Sequence, residues 1–245
     1  MLIIRITLIL LLSSGTGYAM FSTVDSGTTT AQFLNMGAGA RAYGMGQAFT
    51  GVSNDATAIR WNPAGIRQLK TTSFSLMHSV WLSDTTNDWL SIVLPGKDAG
   101  NFGLGVQYLS YGSIIKVDNT GLNIPGGEIN PYDLDAIFSY AINLSESTKG
   151  FNVGINIKYL QSKIVNTAKT VIFDLGLMYD IKETLHLGLV VRNLGTQVKY
   201  IDKKISLPKE IKLGAGWNVT TNWLISVDIG DAADNGFNYG ASGRI

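Results

Sequence analysis

Beyond Thr72 the chain alternates apolar and polar residues with a period of two, the signature of half-exposed β-strands. In "FNVGINIKYLQ", Phe151, Val153, Ile155, Ile157 and Tyr159 share one face, and Asn152, Gly154, Asn156 and Lys158 share the other. "VIFDLGLMYDI" sets Val171, Phe173, Leu175, Leu177 and Tyr179 against Ile172, Asp174, Gly176, Met178 and Asp180. "LHLGLVVRN" from Leu185 and "EIKLGAGWN" from Glu210 repeat the pattern. Weaker versions occur at 73–81, 88–94, 102–111, 132–143, 223–230 and 237–244, so ten strands are predicted. Most run to about the length a tilted strand needs to cross a bilayer. Turn residues at 145–150 and 232–236 separate them, and Gly112 to Asn130 reads as one large loop.

The chemistry of the two faces decides what surrounds such strands. A soluble barrel carries Lys, Glu and Thr on its polar faces. Here the polar faces hold mostly Gly, Asn, Ser and isolated charges, which suit a narrow lumen, while Leu, Val, Ile and Phe suit lipid. Trp81, Trp89, Tyr108, Tyr111, Tyr132, Tyr140, Tyr159, Tyr179, Trp217 and Trp223 fall near strand ends, as in the aromatic girdles of outer-membrane barrels. Composition agrees: 45% of the 245 residues are hydrophobic and only 15% are charged, against about 25% charged in a typical soluble domain. A soluble periplasmic binding barrel is the competing reading.

The first 19 residues follow a different rule. Arg5, an apolar run from Ile6 to Leu12 and small residues up to Ala19 read as a signal peptide, too short to span a membrane. Its removal takes one of 19 basic residues, leaving 18 − 18 = 0 net charge. With no basic stripe, no nucleic-acid partner is expected. The chain has no cysteine, which excludes disulfides and thiolate chemistry. His78 and His186 are the only histidines; His186 shares the lumen parity, and His78 shares that of Phe74, Leu76 and Val80. No spacing suits a metal, no cofactor is expected, and no serine pairs with a histidine and an acid, so the chain reads as non-enzymatic.

"NMGAGARAYGMGQAFTGV", 35–52, contains G-x-G-x-x-A at Gly37, Gly39 and Ala42. That spacing belongs to dinucleotide-binding turns, which need a preceding strand, a following helix and a βαβ unit. None is present, so the fingerprint is set aside. The next segment, "GVSNDATAIRWNPAGI", reads as a short helix capped by Ser53 or Asp55 and stopped at Asn62-Pro63.

Taken together, "GAGARAYGMGQAFTGVSNDATAIRWNPAGI" resembles the N-terminal segment of FadL-like outer-membrane proteins, nearest the PorV/PorQ branch associated with type IX secretion. The resemblance implies an all-β fold: an antiparallel transmembrane β-barrel with a short N-terminal helical hatch. Residues 1–19 would be the signal peptide, 20–70 the hatch and 71–245 the barrel. FadL-like barrels have about fourteen strands, so ten imply either a small closed barrel or, as expected here, a truncated one.

In this reading the hatch motif comprises Gly37, Gly39, Arg41, Gly44, Gly46, Asn62, Pro63, Ala64 and Gly65. Asp133, Asp135, Lys158, Asp174, Arg192 and Lys212 line the lumen, as do Asp180, Asp228 and Arg244, with Lys158 set to pair with Asp174 on the next strand. Arg41 either meets Asp133, Asp135 or Asp174, or stays solvated at the periplasmic opening. The lumen charges stabilise the wall or form a polar path. The implied place is the bacterial outer membrane, reached through the cleaved signal, with outer-membrane lipid as partner. The implied work is protein secretion or surface attachment, with secretion-system proteins or exported cargo as partners. The alternative is a channel for long-chain fatty acids or other hydrophobic small molecules.

Overall fold

The computed structural model describes residues 27–144, 150–200, 203–233 and 236–244. The signal segment 1–19 and the turn residues 145–149 and 234–235 lie outside them. Every period-two stretch forms a strand. The main sheet contains β1 (Ser73–Val80), β2 (Thr86–Pro95), β3 (Asn101–Ser110), β6 (Tyr132–Asn143), β7 (Phe151–Lys163) and β8 (Thr167–Lys182). It continues through β9 (Leu185–Gly195), β12 (Glu210–Asn218), β13 (Leu224–Ala232) and β14 (Gly236–Arg244). These ten strands are ordered β1-β2-β3-β6-β7-β8-β9-β12-β13-β14. All neighbours pair antiparallel. Among the described residues β1 and β14 are not paired with each other.

Two elements depart from expectation. The stretch read as a large loop holds a hairpin, β4 (Ile114–Val117) with β5 (Asn123–Ile129). A second hairpin, β10 (Val198–Tyr200) with β11 (Lys203–Ile205), follows β9. The first is interrupted by Gly, Pro and Asn, and the strands of the second are only three residues long, so neither gives a period-two signal. They occupy the same end of the sheet, where β3 and β9 finish. At the opposite end the connections are short, as between Lys182 and Leu185.

Burial runs inside out relative to a water-soluble protein. Leu76 is 70% exposed, with Leu104, Phe138, Ile157, Val171, Phe173, Leu175 and Val227 on the same outer surface. Lys158 is 0% exposed and Asp174 1%, in company with Asn156, Gln107, Asp135 and Asp228. Parity therefore sorted the side chains correctly, with one correction. Trp89 is buried, not part of an outer aromatic girdle: its ring faces the interior and its Nε1–H donates to Ser91 Oγ at 3.1 Å. Parity itself puts Trp89 on the inner face with Asn87, Ser91 and Val93; only its nearness to a strand end suggests the girdle.

The interior is filled by the N-terminal segment. It consists of a 3₁₀ turn at Gln32–Asn35, α1 (Ala40–Gly44), α2 (Ala58–Trp61) and a second 3₁₀ turn at Pro63–Gln68. α2 ends where expected, with Asn62 extended at φ −155° ahead of Pro63. Ser53 does not cap it; Asp55 Oδ1 instead accepts from Thr57 N and Thr57 Oγ1 at the approach to α2. These helices are too short to persist alone. Burial of Phe49, Ile59, Trp61 and Ile66 against the sheet holds them in place.

Candidate functional site

The hatch sits against the wall through glycines. A Cβ on Gly154 would overlap the backbone of Pro63 and Ala64, and one on Gly176 would overlap Asn62 and Pro63. These two glycines are register partners on β7 and β8, so together they form the seat of the Asn62-Pro63-Ala64-Gly65 turn. A second seat lies further round. Gly188 and Gly214, partners on β9 and β12, take the backbone of Thr50 and Gly51, with Gly216 alongside. Glycine in a strand interior weakens the strand, and a backbone passing at contact distance is one reason to keep it.

Hydrogen bonds lock the seated hatch. Asn62 Nδ2 donates to Thr50 O and to Leu177 O, both at 3.1 Å, while Asn62 Oδ1 accepts from Ala64 N. Asp228 Oδ2 accepts the amides of Phe49 at 3.1 Å and Thr50 at 3.0 Å. Wall donors meet hatch carbonyls: Ser91 reaches Ala56 O, Asn156 reaches Ile59 O, and Asn101 reaches Ile66 O and Leu69 O. An irregular segment inside a barrel has backbone groups that its short helices cannot pair, and each left bare in the interior is costly. The wall's polar side chains meet that demand.

Behind these anchors lies a buried charge network. Lys158 Nζ stands 2.8 Å from Asp174 Oδ1 and donates to Asn193 Oδ1 at 2.7 Å. Asp174 also accepts from Asn156 Nδ2 and Asn193 N. Arg192 pairs with Glu210 and donates to Arg60 O at 3.1 Å, and Lys212 reaches Glu210 at 3.0 Å. Arg60, on α2, donates to the carbonyls of Phe33, Leu34 and Met36, and its Nη1 stands 3.5 Å from Asp135 Oδ2. The network proper sets four cations, Arg60, Lys158, Arg192 and Lys212, beside the carboxylates Asp135, Asp174 and Glu210, with Asp228 near Lys212. Near-balance of this kind is what lets charges remain buried.

The predicted residues distribute as follows. Gly37 packs on the Trp61 ring, Gly39 (φ +87°) touches Thr57, and Gly46 (φ +59°) makes a turn that only a residue without Cβ enters freely. Gly65 lies on Ser53. Gly44 has open space around it, and nothing there requires glycine. Arg41 meets none of Asp133, Asp135 or Asp174. It pairs within the hatch, with Asn54 Oδ1 at 2.5 Å and Asp55 Oδ2 at 3.2 Å, and lies over the Phe49 ring, because α1 faces away from the charged wall. Asp133 stands apart from the network and accepts from Tyr111 OH at 2.6 Å. Asp180 pairs with His186 at 2.6 Å near the short-turn end, and His78 pairs with Asp88 on the exposed face. Arg244 lies on β14.

Arg60, Glu210 and Asn193 escaped the sequence reading, and Asn156, placed on the polar face by parity, was not singled out as a site residue. Glu210 carries the parity of Lys212 but opens its strand, where parity is weakest. Asn193 breaks parity: a bulge in the β8–β9 pairing at Asp174 turns both Arg192 and Asn193 inward, with Asn193 at φ +60°. An arginine flanked by Ile59 and Trp61 in a short apolar helix was the available sign for Arg60.

Residues 13–213 match the family model of UPF0164, described as an uncharacterised protein family. No curated protein matches the sequence. Among solved structures the fold is similar to that of the Pseudomonas putida toluene transporter TodX. The TM-score is 0.50 at 14% identity, over 85% of this chain and 76% of that one. The likeness is one of fold.

Proposed function

This chain belongs to the UPF0164 family, and we propose that it is a non-enzymatic outer-membrane β-barrel protein that admits hydrophobic small molecules past its hatch. One observation carries the membrane reading: apolar side chains cover the outer face of the sheet while charges and amides are buried behind them. In water such a continuous apolar surface drives aggregation, whereas in a bilayer it is the favourable surface. The similarity to a toluene transporter supports the choice of cargo class. In this reading export uses the amino-terminal signal segment, and the hairpin end faces outward.

A second reading, a PorV/PorQ-type role in protein secretion with exported cargo or secretion-system proteins as partners, is favoured by the hatch sequence from Gly37 to Ile66. Deletion separates the two: impaired uptake of hydrophobic compounds with normal secretion supports the first, and the converse supports the second. Membrane residence is tested by fractionation and by gel mobility with and without boiling. Recovery in the soluble periplasmic fraction would remove both readings.

A further inference from the structure

The outward face of the sheet is apolar along most of its length, but at the hairpin end β7 and β8 set two cations on it. Lys163 closes β7 and Lys169 lies near the start of β8, both on the outward parity of Ile157, Tyr159, Val171 and Phe173. Lys163 is the register partner of Thr167, so Lys169 stands on its diagonal, about 7–8 Å away. Neither joins a salt bridge among the described residues. The outward positions of β3, β6, β7 and β8 carry no acidic residue, and the turn between the lysines reads Ile164-Val165-Asn166. Asp88, outward on β2, is paired with His78. Like charges across a strand pair repel, and an anion between them reverses the sign.

A hydrogen-bonded shelf lies beside the two lysines on the same face. Tyr132 is the register partner of Lys163, whose Nζ stands 5.9 Å over the Tyr132 ring. Gln161, the register partner of Lys169, donates to Tyr132 OH and accepts from Tyr159 OH at 3.3 Å. The Tyr108 ring extends the shelf, 5.5 Å from that of Tyr132. Further along β7 and β8 the outward face turns apolar at Ile157, Val171 and Phe173. Tyrosine belts in membrane proteins sit at the level of the lipid head groups. The two lysines therefore stand at head-group height, with a hydrocarbon-facing surface continuous beneath them.

That continuity selects the occupant. A soluble anion would use the lysines alone, whereas a lipid uses the lysines, the shelf and the apolar surface together. A second basic pair supplies the contrast. Lys199 and Lys204 are register partners on the β10–β11 hairpin and both are exposed. That hairpin packs through Val198 on the inward-facing Leu160, Ala168 and Ile172, so its lysines adjoin no outward tyrosine shelf. We propose that Lys163 and Lys169, with Tyr132, Tyr159 and Gln161, form a docking site for the phosphate head group of an anionic lipid, with its acyl chains along Ile157, Val171 and Phe173. This rests on the membrane reading, adds a specific lipid to it, and is independent of the cargo.

The test uses the full chain refolded in detergent micelles and titrated with dioleoyl phosphatidylglycerol or dioleoyl phosphatidylcholine, bound lipid being counted by native mass spectrometry. The two lipids share their acyl chains and a phosphate and differ in net charge. Phosphatidylglycerol is expected to bind at least about tenfold more tightly, since each lysine at a membrane surface contributes roughly fivefold toward an anionic lipid. Lys163→Gln combined with Lys169→Gln should bring that ratio below about threefold, while Lys199→Gln combined with Lys204→Gln should leave it above about tenfold. Heat-modifiable mobility confirms that each variant is folded. Equal binding of the two lipids, an unchanged ratio in the first variant, or loss of the ratio in the second overturns this inference. Displacement of the bound lipid by equimolar inorganic phosphate overturns it as well, by assigning the lysines to a soluble anion. Each of these outcomes leaves the membrane reading standing. A chain that shows no heat-modifiable mobility and does not insert into lipid overturns that reading and this inference with it.

Discussion

On β7, β8, β9, β12 and β13 the hatch meets glycine and charge; on β2, β3 and β6 it meets aliphatic side chains and amides with bonding capacity to spare. The first wall lets backbone approach backbone at Gly154, Gly176, Gly188 and Gly214, then fixes it through Asp228, Asn156 and Arg192. The second packs Val93, Ile137, Ala141 and Trp89 against Ala38, Ala56, Ile59 and Ile66. It anchors the hatch through Ser91 and Asn101 and leaves Asn87, Gln107 and Asp135 partly unsatisfied. Contact with the first wall is directional and intolerant of displacement. Contact with the second adds the bonds of Ser91 and Asn101 and the Arg60–Asp135 pair to apolar packing without a glycine seat for backbone, so a small shift of the hatch there forfeits less. Any opening that keeps the hatch inside the barrel should therefore begin along β2, β3 and β6.

Substitutions test that contrast. Glu210→Ala strands Arg192 and Lys212 without their carboxylate in the interior, and should cost about 3–5 kcal/mol in denaturant unfolding from vesicles. A loss below 1 kcal/mol would mean that water already reaches this network and that the first wall is not the anchor. Gly176→Val drives two methyl groups into the Asn62-Pro63 turn. Overpacking against backbone should cost about 3 kcal/mol and expose the hatch to protease, read as new cleavage between residues 40 and 68. On the second wall, Ile137→Val removes one methylene from the Ile59 contact region and should cost only about 0.5–1.5 kcal/mol, with the hatch still protected. Comparable protease sensitivity in Gly176→Val and Ile137→Val would erase the distinction between the walls.

The smallest effect is expected in the β4–β5 hairpin, away from the hatch. Asp118, in the turn of the β4–β5 hairpin, accepts from Thr120 Oγ1 and from the amides of Thr120 and Leu122. The Thr120 hydroxyl first, then the Leu122 amide, hold its carboxyl below the ordinary value of 3.8. A carboxyl depressed in the folded state stabilises the turn above its unfolded value, and that contribution is lost as pH falls through the folded one. The protection factor of the Leu122 amide, its exchange rate corrected for the intrinsic pH dependence, should thus stay constant above about pH 5 and fall only in acid below the ordinary carboxyl range. Asp118→Asn should remove the acid step. An acid step that persists in this variant would assign it to another group.

Much of the fold was legible because a strand's side chains obey a period of two whatever lies on either side. Val153, Ile155 and Leu175 were sorted from Asn156, Lys158 and Asp174 by parity alone, and the Lys158–Asp174 contact follows from adjacent strands in register. The inversion of the faces was readable too, from glycine, asparagine and isolated charges on the polar faces in place of the Lys, Glu and Thr of a soluble barrel. Legibility failed where a rule other than parity governs. Asn193 depends on a bulge, and Arg41 on the direction in which a five-residue helix happens to face.

The sequence alone determined the strands, their two faces and the presence of a glycine-rich segment ahead of them, because these are set by local stereochemistry and by the preference of each side chain for oil or water. Tertiary structure decided why the wall carries glycine at Gly154, Gly176, Gly188 and Gly214, and which lumen charges find partners. Those outcomes depend on where a distant, irregular stretch of backbone comes to rest. Its position is fixed by hydrogen bonds between residues such as Phe49 and Asp228, far apart in the chain, whose meeting no periodicity encodes.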